Sequence, residues 1–428
     1  MTLDVYLGGH RAGVMTDDVE GRVRFAYDAD YRAQPRPTPL SLSMPLRDEE
    51  HLGTAPARWI DNLLPDNDRL RAALAAKFGE RTDSAYVLLH HVGLDLAGAV
   101  QFAPSGESLD RSSTRIPWSS ERIASEIDRL RADPATAAPE RRLGHWSLAG
   151  QFGKFALTRD GDAWIEPRAD APSTHIFKVG MPGLPGSDIA EFVTMRAAAA
   201  LGITAPRVEL GMFEGRMAVI VERFDRIVAD GAVRRVHQED FCQMLGYSRS
   251  VKYEFDGGPS LKVVTDAIRR HVTPADRERS LNQLALLQAF NMLIAGTDGH
   301  AKNHSLLLHG SEARLAPAYD VISAGLFETP ETAFASGRMA FRFGGSYNLR
   351  PLAPKRVLYA SGSLAVDADW FRGRLVEMAE GVGDALLAAL DQAQATTGSS
   401  SELETLRGRA AVVGDNCETL ARTLRTQR

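Results

Sequence analysis

The stretch that decides how this chain is read is residues 295–308, AGTDGHAKNHSLLL. Asp298, His300, Lys302, Asn303 and His304 crowd between an apolar run, LALLQAFNMLIA (284–295), and the SLLL that begins at Ser305. That is more polar chemistry than a turn needs. A carboxylate followed five positions later by an amide is the arrangement that orients an attacking hydroxyl and holds Mg²⁺ on a phosphate chain. Asp298 and Asn303 have this spacing, directly after a run that reads as a buried helix.

The same spacing separates the Asp and Asn of the protein-kinase catalytic loop, and there a second metal carboxylate follows. LAPAYDV (315–321) supplies Asp320, at the end of a segment that reads as a hairpin returning toward Asn303. Two plainer readings compete. His300 and His304 are four apart and would suit zinc on a helix, but the glutamate of HExxH is missing and Gly299 argues for a loop. Asp298 would also serve as the cap of a helix starting at His300, and from this motif alone capping and catalysis stand level.

Upstream segments tip the balance by their order. SLAGQFGKFAL (147–157) offers Gly150 and Gly153, whose backbone N–H groups can approach phosphate oxygens, with Lys154 adding charge. HIFKVG (175–180) places Lys178 in mid-strand, where a buried ammonium needs phosphate or a carboxylate such as Glu191 of the next helix. In AVIVERFDR (218–226) an apolar strand runs into Glu222, Arg223 and Phe224, whose backbone would pair with an adenine edge. Each signal is weak alone.

Bulk properties agree with an ordinary globular chain. Its 428 residues are 44% hydrophobic and 25% charged, enough for two or three cores, and the net charge of −5 announces no basic nucleic-acid surface. No run approaches 18 apolar residues, and the start lacks a charged and then apolar leader, so a cytoplasmic protein is expected without membrane contact. Cys242 and Cys417 stand alone, which argues against disulfides and thiolate zinc.

Three units are expected. Residues 1–105 read as a small α/β unit: strands LDVYL, RVRFAY and GAVQFA, and a helical segment, 56–79, broken at Pro65 and Asp66. Residues 106–236 read as a β-rich lobe, with a hairpin around Asp160 and Gly161 and a helix closed by Gly202. Residues 237–428 read as an all-helical lobe whose last helix opens with a capping box of Ser401 and Glu404. The fold class is α+β, kinase-like and two-lobed.

Taken together, SLAGQFGKFAL, HIFK, VERFDR, HQEDFCQMLG, AGTDGHAKNHSLLL and LAPAYDV resemble the HipA family of serine/threonine kinases, toxins of bacterial type II toxin–antitoxin systems. LSLSMPL, WIDNLLPDN and GLDLAGAVQF extend the resemblance over nearly the whole chain. It implies Asp298 as catalytic base and Asn303 and Asp320 as Mg²⁺ ligands. It implies ATP contacts at Ala149, Gly150, Gln151, Phe152, Gly153, Lys154, Lys178, Glu222, Arg223, Phe224, His300, Lys302, Asn303, Tyr319 and Asp320. Ser147 would be an autophosphorylation site that switches the enzyme off. The family loop reads closer to S-[IL]-A-G-A-Q-x-K, and here Gln151-Phe152-Gly153 fills its middle.

The resemblance further implies a protein substrate, an aminoacyl-tRNA synthetase in characterised members, and a HipB-like helix-turn-helix antitoxin through which the pair binds operator DNA. The competing expectations are a small-molecule kinase of aminoglycoside or choline type and a non-catalytic antitoxin-binding co-repressor.

Overall fold

The structure, a computed structural model, describes residues 2–18, 20–107, 109, 115–132, 153–168, 170–181, 183–349 and 353–426. Alternation along strands and amphipathic periodicity along helices sort these residues into two cores.

At the N-terminus, Thr2–Leu7, His10–Asp17, Val23–Tyr27 and Val100–Pro104 form an antiparallel sheet in which the first strand pairs with the second and the fourth. The helices Thr54–Asp61 and Ala85–Val92 pack on it and Asp68–Phe78 packs on the latter; Thr54–Asp61 and Asp68–Phe78 are separated at the expected Pro65–Asp66 break, and Asn67 caps Asp68–Phe78 by accepting from the N–H of Arg69 and Leu70. The sheet is the expected meander with one extra strand, His10–Asp17.

The next sheet has six strands, ordered Ile116–Trp118, Ala163–Glu166, Lys154–Asp160, His175–Lys178, Arg216–Glu222 and Val208–Phe213. The expected hairpin turns at Gly161 and Asp162. Along Arg216–Glu222 the two faces part company: Ala218 and Ile220 join the core of the N-terminal unit, while Val219 and Val221 join that of the helical lobe. The N-terminal unit therefore has its own sheet but shares its core with the six-stranded one.

The C-terminal lobe is mainly helical, built on Leu261–His271, Pro274–Leu293, Ala368–Thr397 and Ser401–Thr426. The last two cross closely enough that a Cβ on Gly383 would lie 3.0 Å from Gly414 Cα. The lobe is not purely helical. His237–Asp240 pairs with Ser305–His309, which forms the expected hairpin with Glu312–Leu315, and Arg338–Phe343 pairs with Ser346–Asn348. The expected capping box is not formed: Ser400, not Ser401, accepts from the Leu403 N–H because the helix already includes Ser401, and a leucine at that third position has no acceptor to reciprocate. Among the described residues no helix is long and apolar enough to cross a membrane.

Candidate functional site

Asn291, near the end of the buried helix Pro274–Leu293, shapes the loop that follows. A Cβ on Gly296 would come 2.6 Å from Asn291 Oδ1 and one on Gly299 2.5 Å from its Nδ2, so glycine alone lets the loop pack there. The loop then turns through a single 3₁₀ segment, Ala301–Asn303, whose cap position is His300 and which has no side-chain cap. The capping reading of Asp298 fails on that geometry.

Asp298 instead accepts a hydrogen bond at Oδ1 from the Tyr253 hydroxyl, and His300 Nε2 lies 3.6 Å from the same oxygen. Confinement in the cleft raises its pKa, with the Tyr253 bond and Lys252 opposing. Asn303 donates from Nδ2 to the Asp298 carbonyl at 2.7 Å, so its amide oxygen is the end left for another partner.

Asp320 follows the hairpin at φ +53°, a left-handed conformation that costs a non-glycine residue about 1 kcal/mol. Its Oδ1 meets the Lys178 ammonium, which also donates to Glu191 as the sequence implied. Burial alone would lower the Lys178 pKa, but the two carboxylates more than offset it and the net direction is up. Burial pushes Asp320 the other way, and Lys178 and Lys154 hold it down at about 2. Burial raises Glu191. Lys154 is the strand neighbour of Lys178 in register, and burial draws it down to about 8.

These groups line one cleft of about 170 Å³, together with Val221, Phe224, Asp240 and Tyr319. The Phe224 ring stacks on Tyr319 at 5.3 Å, and the Tyr319 hydroxyl donates to the Lys302 carbonyl at 2.7 Å. Glu222 and Arg223 line the cleft with Phe224, but the backbone N–H groups of the first two are committed elsewhere. The N–H of Glu222 is spent on the Arg207 carbonyl and that of Arg223 on the Thr174 carbonyl, both at 2.9 Å, because the strand end is tied back into its lobe. Phe224 N–H has no partner among the described residues. The Arg223 side chain is equally committed, to Asp225 at 2.8 Å, Ser173 at 2.9 Å and the Leu96 carbonyl at 2.6 Å.

Lys302 lines the cleft too, and its ammonium pairs with Asp66 of the N-terminal unit at 2.6 Å. Lys252 joins the same carboxylate at 2.8 Å. His304 is a core residue bonded to Gln288 and the His300 carbonyl, and among the described residues there is no cluster suited to zinc. His300 lines the cleft, held neutral by burial, and its buried Nδ1 has no partner among the described residues. Gly153 does not line the cleft; its carbonyl accepts from Val179 N–H at 3.1 Å. Ser147, Ala149, Gly150, Gln151 and Phe152 lie outside the described residues.

The residues present fit a nucleotide with a divalent cation. A hard cation takes few protein oxygens when phosphates supply the rest, and Asp320 with the Asn303 amide oxygen offers such a pair. The orphaned His300 Nδ1 and the unpaired Phe224 N–H are polar atoms that a bound ligand would satisfy. Sequence reasoning missed Asp66, Lys252 and Tyr253. Asp66 sits within WIDNLLPDN, one of the segments that carried the family resemblance, while VKYEFDGG carried no pattern at all.

Residues 146–386 match the HipA-like C-terminal domain and residues 3–103 the HipA N-terminal domain. A Sinorhizobium fredii protein with a provisional kinase name, Y4mE, is 31% identical over 91% of this chain and 92% of its own length. The serine/threonine-protein kinase toxin HipA of Shewanella oneidensis is 31% identical over 78% of each chain. A solved HipA structure from Shewanella oneidensis MR-1, in complex with HipB and operator DNA, superposes with a TM-score of 0.81 at 24% identity, covering all of both chains.

Proposed function

This chain belongs to the HipA family, and we propose that it is an ATP- and Mg²⁺-dependent protein serine/threonine kinase acting as the toxin of a toxin–antitoxin pair. The observation that carries the reading is the convergence of Asp298, Asn303, Asp320 and the Lys178–Glu191 pair on one cleft, since no purely structural role calls for all of them.

In this reading Asp298 takes the proton of the acceptor hydroxyl, and Tyr253 fixes which carboxylate oxygen remains for it. Asn303 and Asp320 hold Mg²⁺, which would neutralise phosphate charge when bound. Lys178, freed from Asp320, contacts phosphate while Glu191 keeps it in place. Phe224 N–H serves adenine, and Phe224 with Tyr319 packs against the ring.

The finer assignments come from family membership. The acceptor is a cytoplasmic protein, an aminoacyl-tRNA synthetase by analogy with characterised members, and Ser147 is a site of inhibitory autophosphorylation. A HipB-like helix-turn-helix antitoxin neutralises the kinase and carries it to operator DNA, as in the Shewanella complex. With a net charge of −5, this chain alone binds operator DNA weakly and loses it as salt rises. The test is a phosphoproteomic comparison of cells expressing the chain or its Asp298→Ala variant. Phosphosites on a translation protein only with the active chain support the reading, and identical phosphoproteomes overturn it.

A further inference from the structure

The ring whose hydroxyl rests on Asp298 is the inner rung of an aromatic ladder that leaves the cleft. Tyr253 stacks on Phe255 with centroids 5.1 Å apart, and Phe255 meets Tyr347 edge-on at 5.7 Å. Phe255 is 39% exposed although it packs between two other rings. The ladder is also braced from both sides. Glu254 Oε2 accepts the backbone N–H of Arg342 at 2.8 Å, tying the Tyr253–Phe255 turn to the hairpin that carries Tyr347, and the Arg342 guanidinium lies 5.1 Å over the Tyr347 ring.

We propose that Phe255 and Tyr347 form the acceptor subsite, binding an apolar side chain next to the phosphorylated residue of an extended protein segment. An acceptor hydroxyl must come within hydrogen-bond reach of Asp298, which places the acceptor residue beside Tyr253. From there an extended chain advances roughly 3.3 Å per residue, so the two ladder steps match a side chain two or three residues away. Continuity with the general base commits the surface to the acceptor. A small metabolite would end at Tyr253 and have no use for the outer rungs. The proposal rests on the protein-kinase reading above and adds what that kinase selects.

The full chain is incubated with Mg·ATP and dephosphorylated bacterial lysate, and phosphosites are mapped by mass spectrometry. Serine peptides are then made with and without an aromatic or aliphatic residue two or three positions from the acceptor. Enrichment of such residues at one side of the mapped sites is expected. The Michaelis constant for the apolar peptide should rise at least fivefold in Phe255→Ala and in Tyr347→Ala, with turnover and ATP affinity within twofold of the parent. Tyr347→Ala guards against an indirect effect, since Tyr347 makes no contact with Asp298. Mapped sites without apolar preference, or a preference that survives both substitutions, overturn the subsite and leave the kinase reading standing. Transfer to hydroxylated metabolites with no protein sites, or no transfer at all, overturns both.

Discussion

Lys302 reaches across from the loop after Pro274–Leu293 to Asp66 of the N-terminal unit at 2.6 Å, with Lys252 on the same carboxylate. Burial works against ionising Asp66, yet the two ammonium groups hold its pKa well below the usual carboxylate range. The N-terminal unit is thus tied to the loop that presents Asp298 and Asn303. Asp66→Ala leaves two buried lysines without their shared partner, a loss of about 3–5 kcal/mol. We expect a matching fall in unfolding free energy by urea titration together with loss of phosphotransfer. An unchanged midpoint would show that the tie is dispensable.

Asp298→Asn keeps the shape and still offers Tyr253 an acceptor oxygen, so the fold should hold. Removing the proton acceptor should cost roughly a hundredfold or more in turnover. ATP affinity by calorimetry should stay within a fewfold. Turnover near the parent's would take the base role away from Asp298.

Asp320→Ala removes one proposed Mg²⁺ ligand and relieves no backbone strain, since alanine tolerates φ +53° less well than aspartate. Lys178 keeps Glu191 as a partner, which should limit the stability loss. The expected result is a protein that still folds and whose nucleotide affinity no longer responds to Mg²⁺. An affinity that still rises on adding Mg²⁺ would count against the ligand assignment.

Glu239 gives the pH prediction. It is fully buried where the helical lobe meets the N-terminal unit, accepting from Ser41 Oγ at 2.6 Å, Leu42 N–H at 2.8 Å and Trp59 Nε1 at 3.3 Å. Burial outweighs these donors and pushes its pKa up to about 7. The folded state therefore holds a proton that the unfolded chain has already released, and this group's contribution falls between about pH 4.5 and pH 7, then levels off. Glu239→Gln removes that loss, so the variant should gain stability relative to the parent as pH rises, on the order of 1–3 kcal/mol by pH 8. A stability difference independent of pH would show that Glu239 is ionised throughout.

The sequence by itself determined what depends on neighbours along the chain. The D-x-x-x-x-N spacing, the buried helix before it and the hairpin bearing Asp320 follow from local periodicity and turn chemistry, and so does the break at Pro65. Local rules failed where two adjacent residues can fill the same position, as when the cap fell to Ser400 instead of Ser401. Nor could they tell that the N–H groups of Glu222 and Arg223 are spent on the Arg207 and Thr174 carbonyls.

Only the tertiary structure decided which charges meet. Lys178 and Asp320 are 142 residues apart, and Lys302 and Asp66 are 236. Tyr253 comes to Asp298 from a turn with no motif of its own. A buried ion must find an opposite charge, but which one depends on how the lobes pack, and packing is set by two cores whose residues come from every part of the chain. Spacing along the sequence holds no record of those distances.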